Sequence, residues 1–166
     1  MSTIEIDIPY GSELARTKLP TGRLLGTLDV DDTAGLVDRN QAIKEAIENP
    51  IGLDNSVFEI VNSGETVAIV VPDSFRTTRI EQVLPVLVDG LIEAGISSGD
   101  ISFIYATGTH RGPTPEEERK ILGDGIYERF KDQAYSHDPC DEDNLVYAGT
   151  TSRGTKVHLN KRVHEA

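Results

Sequence analysis

Two successive strand–loop–helix units constrain the fold of this chain more than any other feature of its sequence. In the first unit, the strand-like residues 66–71 precede a polar loop and a helical stripe of apolar residues. In the second unit, residues 101–106 predict a buried strand, residues 107–113 a loop, and Thr114 the start of a helix. Because parallel neighbouring strands require a crossover connection, the two units predict a parallel sheet with helical crossovers.

The helices of these units carry their own start signals. The apolar stripe of the first helix consists of Ile80, Val83, Leu84, Leu87, Val88 and Leu91. Pro85 lies inside this stripe and removes one backbone donor, so we expect a late helix start or a kink there. In the second unit, Thr114-Pro115-Glu116-Glu117 is a capping box with proline at the first helical position. A further helix is predicted from the cap residue Asp38 to Asn49-Pro50.

Hairpins are predicted at both ends of the chain. Residues 3–9 alternate apolar and polar side chains like a half-buried strand, and residues 23–30 are a weaker candidate for its antiparallel partner. Residues 145–150 and 155–159 predict two strands joined through Ser152-Arg153-Gly154. The predicted fold class is α/β, with a Rossmann-like parallel or mixed sheet, helical crossovers, and N-terminal and C-terminal β-hairpins.

The composition excludes several classes of protein. Sixteen Lys and Arg against twenty-eight Asp and Glu give a net charge of −12, which opposes general binding to nucleic acid or to an anionic membrane. The longest apolar run, residues 67–72, is too short to span a bilayer, and the first five residues do not resemble a signal peptide. We therefore expect a soluble, cytoplasmic protein. The single cysteine, Cys140, excludes an intrachain disulfide framework or a thiolate metal cluster built from this chain alone.

Two polar loops are expected to share one edge of the sheet, since ligands of open parallel sheets bind outside the carboxyl ends of the strands. The first loop carries Asp73 and Arg76, and the second carries Thr109, His110 and Arg111. Arg76 can hold a carboxylate through two parallel N–H bonds. Histidine side chains ordinarily titrate near neutral pH, so His110 can move a proton while Asp73 orients its ring. The loops predict a site for a small hydroxy or keto acid.

The same residues also have simpler interpretations. Asp73 is explained equally well as a helix N-cap, and Arg76 and Arg79 as solvated charges, although cations at a helix start oppose the helix dipole. Residues 108–112 can be a plain polar turn, because no G-x-G-x-x-G or P-loop spacing is present. None of the four histidines shows a short metal-ligand spacing, so we predict no metal site and assign no cofactor-binding residue.

Several sequence runs, taken in order, match one known family. They are Ile8-Pro9-Tyr10-Gly11, Val71-Pro72-Asp73-Ser74-Phe75-Arg76, Ala106-Thr107-Gly108-Thr109-His110-Arg111, Thr114-Pro115-Glu116-Glu117-Glu118, Gly149-Thr150-Thr151-Ser152-Arg153-Gly154-Thr155 and Asn160-Lys161-Arg162-Val163. Over nearly its whole length the chain resembles the N-terminal part of the nickel-pincer-nucleotide-dependent lactate racemase family. The specific element of this resemblance is G-T-H-R before an acidic helix, combined with G-T-T-S-R-G-T.

The resemblance implies a two-domain enzyme that interconverts D- and L-2-hydroxy acids by hydride transfer to a nickel-bearing pyridinium cofactor. It implies that His110 is one of two catalytic histidines, that Arg76 binds the substrate carboxylate, and that Asp73 is a neighbour of the site; with His110, Asp73 is our candidate catalytic residue. Thr109 and Arg111 are further candidates for substrate binding. The family's second catalytic histidine, cofactor-bearing lysine and nickel-binding histidine lie beyond the Asn-Lys-Arg-Val run. The nickel-pincer nucleotide is therefore expected to be attached outside this chain, with none in residues 1–166 alone.

Three hypotheses follow. In the leading one, residues 1–166 are a single N-terminal domain, the substrate-binding half of a 2-hydroxy-acid racemase or epimerase that is completed by a C-terminal domain and inactive alone. The second is a freestanding, non-catalytic module of the same fold that binds small acids or partners. The third, a complete small isomerase using Asp73 and His110, lacks visible charge stabilisation for the reaction. Phe75 adds apolar bulk near the crevice, which counts against lactate itself as the substrate.

Overall fold

The computed structural model describes residues 2–28 and 30–166. Its backbone contacts divide the chain into two compact units, Met1–Gly35 and Leu36–Ala166. Within the described residues, no helix has the length and apolarity needed to cross a membrane. The assignment of residues 1–166 to one N-terminal domain of a longer protein stays a prediction.

The first unit contains an antiparallel hairpin of strands β1 (Thr3–Tyr10) and β2 (Glu13–Pro20). Thr3 pairs with Pro20 and Tyr10 with Glu13, so that only two residues form the turn. One of them, Gly11, has a φ angle of 63°, which glycine adopts without steric cost. The predicted strand at residues 3–9 and the N-terminal hairpin are therefore confirmed.

The predicted partner strand at residues 23–30 is wrong. A two-residue turn at Gly11 sets the register of the hairpin, so pairing starts at once and ends at Pro20. The chain then forms a short 3₁₀ turn at Thr21–Arg23, and residues 24–28 and 30 form no strand. Asp29, within the predicted strand, lies outside the described residues.

The second unit is built around a parallel sheet. Strands β3 (Val67–Pro72), β4 (Ile101–Ala106) and β5 (Ala134–Ser136) lie in the order β3-β4-β5, and both neighbouring pairs are parallel. The first two strands confirm the prediction from the strand–loop–helix units. β5 was not predicted, because three residues are too few to show an alternating pattern.

In the part of the chain that the structure describes, six helices accompany the strands. They are α1 (Arg39–Glu48), α2 (Val57–Ile60), α3 (Leu84–Glu93), α4 (Pro115–Leu122), α5 (Asp124–Phe130) and α6 (Lys161–His164). Asp38 caps α1 as predicted, since its Oδ1 accepts a hydrogen bond of 3.0 Å from the backbone N–H of Gln41. The late start predicted from Pro85 is also confirmed: a 3₁₀ turn at Ile80–Gln82 precedes α3, and Pro85 lies in the first turn of the helix.

The hydrophobic core lies between the sheet and helices α3, α4 and α5. The buried strand residues are Val71, Ile101, Phe103 and Tyr105, and the buried helix residues packed with them include Leu84, Val88, Leu91, Leu122, Ile126 and Phe130. Each such large side chain stabilises the fold by roughly 1.5–3 kcal/mol through removal of apolar surface from water. The strands are thereby anchored, and their carboxyl ends provide a stable base for the loops that follow.

The chain ends in a second hairpin, which confirms the prediction for this region. Strands β6 (Leu145–Thr150) and β7 (Lys156–Asn160) are antiparallel. The Asn160 side chain caps the short helix α6 through the backbone N–H of Arg162, at 3.0 Å. The guanidinium of Arg162 lies 3.7 Å from the centre of the Tyr135 ring, which ties this end of the unit to β5.

Candidate functional site

The three parallel strands present their carboxyl ends at one edge of the sheet. Pro72 pairs with Ala106, so Asp73 and Thr107 begin their loops side by side. Both residues are buried, with 5% and 2% of their surface exposed. The Thr107 hydroxyl donates a hydrogen bond to the backbone carbonyl of His137, which follows β5 directly. The edge predicted to carry the site therefore brings three loops together.

A carboxylate–imidazole pair lies at this edge. Asp73 Oδ2 is 2.5 Å from Nδ1 of His110, and Asp73 Oδ1 accepts a hydrogen bond of 3.1 Å from the backbone N–H of Phe75. The hydrogen bond with His110 lowers the pKa of Asp73 below its usual value, although burial acts in the opposite direction. The ionised carboxylate favours the tautomer with the proton on Nδ1, which leaves the Nε2 lone pair of a neutral His110 available as a base.

An open cavity of about 430 Å³ adjoins this pair. Its lining residues are Pro72, Asp73, Arg76, Ala106, Thr107, Gly108, Thr109 and His110. The positive charge of Arg76 contributes to the lowered pKa of Asp73. Within the described part of the chain, no ion pair or side-chain hydrogen bond occupies the Arg76 guanidinium. The cavity thus combines an available guanidinium, a carboxylate and an imidazole.

Arg111 has a different environment from the other predicted site residues. Its guanidinium forms two hydrogen bonds of 2.7 Å to the carboxylate of Glu117 and a third, of 2.9 Å, to the carbonyl of Gly112. The bidentate contact with Arg111 is the main reason that the pKa of Glu117 falls to about 2. Asp73, Arg76, Thr109 and His110 line the cavity together, whereas Arg111 is absent from its lining.

Phe75 packs against the imidazole of His110. The two ring centroids are 4.6 Å apart, and the planes meet at 61°. Arg111 lies over the same phenyl ring, 5.8 Å from its centre. Phe75 nevertheless keeps 60% of its surface exposed. Phe75 was predicted to lie near the crevice, but its contact with the His110 ring depends on tertiary structure and could not be predicted from sequence.

A second cavity, of about 330 Å³, lies on the β5 side of His110. Its lining residues are Thr109, His110, Arg111, Gly112, Ser136, His137, Asp138, Pro139 and Cys140. His110 and Thr109 therefore lie between two cavities. The second cavity was not predicted from the sequence, because β5, which places residues 136–140 beside His110, was not predicted either.

The described residues do not fit the nickel-bearing group that the family resemblance implies. Within residues 2–28 and 30–166, no three His, Cys, Asp or Glu side chains converge to form a group that could hold a metal ion. The Asp73–His110 pair alone supplies too few ligands for a protein-bound transition metal.

The fold and the site define an α/β domain of the class that binds ligands at the carboxyl ends of parallel strands. Residues 10–166 match the family model described as the lactate racemase N-terminal domain. The chain therefore belongs to the lactate racemase N-terminal domain family, as its sequence motifs predicted.

One relative and one solved structure extend this result. The lactate racemase of Thermoanaerobacterium thermosaccharolyticum is 29% identical over 163 residues, which cover 97% of this chain and 37% of the relative. The structure of the lactate racemase apoprotein from that organism matches with a TM-score of 0.80 at 28% identity, over 98% of this chain and 37% of the other. The prediction of the fold class is thereby confirmed.

A more distant likeness concerns the fold alone. The crystal structure of a Thermotoga maritima protein matches with a TM-score of 0.51 at 24% identity, covering 68% of this chain and 24% of the other. The present chain spans only 37% of the length of the curated lactate racemase that it matches.

Proposed function

We propose that this chain is the N-terminal, substrate-binding half of a 2-hydroxy-acid racemase or epimerase. The observation that carries the proposal is the meeting of Arg76 with the Asp73–His110 pair at one open cavity. The 37% coverage of the lactate racemase supports a C-terminal domain that completes the enzyme. In this proposal the 166-residue chain binds the acid but does not turn it over alone, and the protein acts in the cytoplasm.

Arg76 binds the carboxylate of the substrate. A planar guanidinium donates two parallel N–H bonds to a carboxylate, which fixes the orientation of the acid as well as its charge. The guanidinium of Arg76 lines the same cavity as His110. The C2 hydroxyl of a bound 2-hydroxy acid is then brought toward the imidazole.

His110 accepts the hydroxyl proton. Its Nδ1 faces Asp73, so Nε2 is the nitrogen that receives the proton, and the carboxylate stabilises the imidazolium that forms. The opposite enantiomer presents its hydroxyl on a different side, so a single imidazole can act as the base for only one of the two enantiomers. A second base is therefore assigned to the proposed C-terminal domain.

The nickel-pincer nucleotide is assigned to the same domain. The described residues of this chain offer no group of side chains that could hold a metal ion, so none of them is given a role in binding it. Thr109 lines the cavity beside His110 and remains a candidate contact for the substrate. Arg111, engaged by Glu117, contributes by orienting the loop unless the substrate displaces that carboxylate.

A binding experiment on the 166-residue chain tests the carboxylate site. We expect D- and L-lactate and acetate to shift the amide resonances of Asp73, Arg76 and His110 in a ¹⁵N-labelled sample. Arg76→Ala should weaken binding by about tenfold or more, because a charge-assisted hydrogen-bonded pair is lost. Arg79→Ala is the matched control, because Arg79 does not line the cavity. Equal affinities for the two variants would contradict the proposal.

A freestanding acid-binding module is the second candidate, because residues of this chain place the Arg76 guanidinium and the Asp73–His110 pair at one cavity. Racemisation assays separate the two functions. The longer protein loaded with its cofactor should racemise a 2-hydroxy acid and lose that activity in Arg76→Ala. Binding without turnover in the loaded protein favours the module, and turnover by pure 166-residue chain contradicts the assignment to half an enzyme.

A further inference from the structure

The hydrogen bond to Asp73 does not by itself determine the orientation of the His110 ring. It sets one distance, from Nδ1 to Asp73 Oδ2, whereas the side chain has two rotatable bonds, so the imidazole can still turn while this hydrogen bond is kept. About half of the His110 side chain is exposed, so little else surrounds it. A base whose Nε2 must point at a substrate hydroxyl requires a second contact.

The phenyl ring of Phe75 supplies such a contact. It meets the imidazole edge to face, 4.6 Å between centroids, which is a preferred arrangement of aromatic pairs. A ring packed in this way restricts the rotation that the hydrogen bond allows. The contact therefore complements the one from Asp73.

Phe75 is itself restrained from two sides. Its backbone N–H donates to Asp73 Oδ1, the other oxygen of the carboxylate that contacts His110. Arg111 lies over the phenyl ring and is in turn held by two hydrogen bonds to Glu117. The phenyl ring is thus located by its neighbours although 60% of its surface is exposed.

We propose that Phe75 is a positioning residue that sets the plane of the His110 imidazole and directs Nε2 into the cavity. The importance of that direction for catalysis rests on the proposed function. The orientation itself is a property of this chain and is measurable without turnover.

The test measures the reactivity of Nε2 in the 166-residue chain. Bromoacetate alkylates an imidazole: Nε2 attacks the methylene carbon, the C–N bond forms, and the C–Br bond breaks with loss of bromide. Neutral bromoacetamide reacts in the same way but carries no carboxylate. A Cys140→Ser background removes the exposed thiol, which would compete. Mass spectrometry follows modification of His110, with His137, His158 and His164 as internal references.

Phe75→Leu should slow alkylation of His110 by about three- to tenfold with both reagents, as expected from the strength of an aromatic pair. Phe75→Tyr retains the ring and should stay within about twofold of the unsubstituted rate. Tyr147→Leu is the matched control, because the half-exposed Tyr147 packs on a different histidine, His158, at 5.6 Å. This variant should leave the His110 rate unchanged.

An unchanged His110 rate in Phe75→Leu overturns the proposal, and so does a Phe75→Tyr variant as slow as Phe75→Leu. A second measurement needs no variant: nuclear Overhauser effects should connect the Phe75 ring protons with the His110 ring protons, and their absence overturns the proposal too. Arg76→Ala should slow bromoacetate alone. If it slows neither reagent, the carboxylate site fails while the role of Phe75 stands.

Discussion

The two strand–loop–helix junctions of this domain enter their helices in different ways. After β4, the chain enters α4 through a complete capping box, with Thr114 Oγ1 accepting from Glu117 N–H at 3.3 Å and Glu117 Oε2 accepting from Thr114 N–H at 2.8 Å. After β3, it passes through Arg79 at φ 58° and a 3₁₀ turn before α3, without a side-chain cap. The second junction is stabilised by side-chain hydrogen bonds, whereas the first carries backbone strain.

The two loops at the candidate site are therefore held in place differently. The loop with His110 is fastened at its far end, since Arg111 binds the same glutamate that completes the capping box. The loop with Arg76 is fastened mainly at its start, by Asp73. The loop that carries His110 is thereby held at more points than the loop that carries Arg76.

The largest expected effect is that of Asp73→Asn. The new amide can donate to Nδ1 of His110, and this favours the tautomer with a protonated, unreactive Nε2. We expect alkylation of His110 by bromoacetamide to fall on the order of 100-fold, in line with the wrong-tautomer effect in catalytic triads. Asp138→Asn is the control, because Asp138 also accepts a backbone N–H, that of Cys140, in a similar turn. Equal rates for the two variants would contradict this role of Asp73.

The next effect concerns the capped junction. Thr114→Ala removes the N-cap of α4 and should lower the free energy of unfolding by about 1 kcal/mol. Urea unfolding followed by circular dichroism measures the change. Thr114→Ser keeps the hydroxyl and should be close to the unsubstituted chain. If both substitutions lower the free energy of unfolding by the same amount, the cap does not stabilise this junction.

The strained junction should respond with the opposite sign. Arg79→Gly relieves the left-handed conformation of a residue with a side chain, and this gain exceeds the entropy that glycine adds to the unfolded chain. We expect the free energy of unfolding to rise by about 0.5 kcal/mol. Arg79→Ala removes the charge but keeps the backbone strain, so it separates the effect of losing the charge from the effect of relieving the strain. A destabilised Arg79→Gly variant would remove the contrast between the junctions.

The smallest effect is a dependence on pH. The pKa of Glu117 is lowered from 4.5 to about 2 by Arg111, so its contribution to stability is complete above 4.5 and is lost as the pH falls toward 2. The difference in unfolding free energy between the unsubstituted chain and Glu117→Gln should therefore shrink between pH 5 and pH 2. Urea titrations across this range check it. A constant difference would show that the charge of Glu117 has no part in the junction.

The capped junction was predictable from sequence and the strained one was not. Thr114, Pro115 and Glu117 form a local signal whose spacing is visible in the sequence. Arg79 has no such signal, because the residue in the left-handed conformation is not a glycine or asparagine, the residues that usually adopt it. β5 was not predicted for a similar reason, since its three residues are defined as a strand by their pairing with β4.

The features of the site likewise divide into those that the sequence predicts and those that depend on tertiary contacts. One topological rule, that parallel strands end at a common edge, predicted that Asp73, Arg76 and His110 lie close together. The ring contact of Phe75 and the cavity beyond His110 depend on side-chain placement between loops that are distant in sequence. The turn at Gly11 is local, yet the sequence predicted residues 23–30 as the partner strand, where the structure pairs β1 with Glu13–Pro20.

Pro72 closes β3, and its missing N–H ends the ladder at the residue that precedes Asp73. Successive side chains of a strand point to opposite faces of the sheet. The number of residues in β3 therefore decides on which face the Asp73 side chain lies. Deleting one residue inside β3 would keep every group of the site in the sequence and still direct the carboxylate away from His110. The chemistry of this edge is therefore encoded in the length of a strand as much as in the identity of its residues.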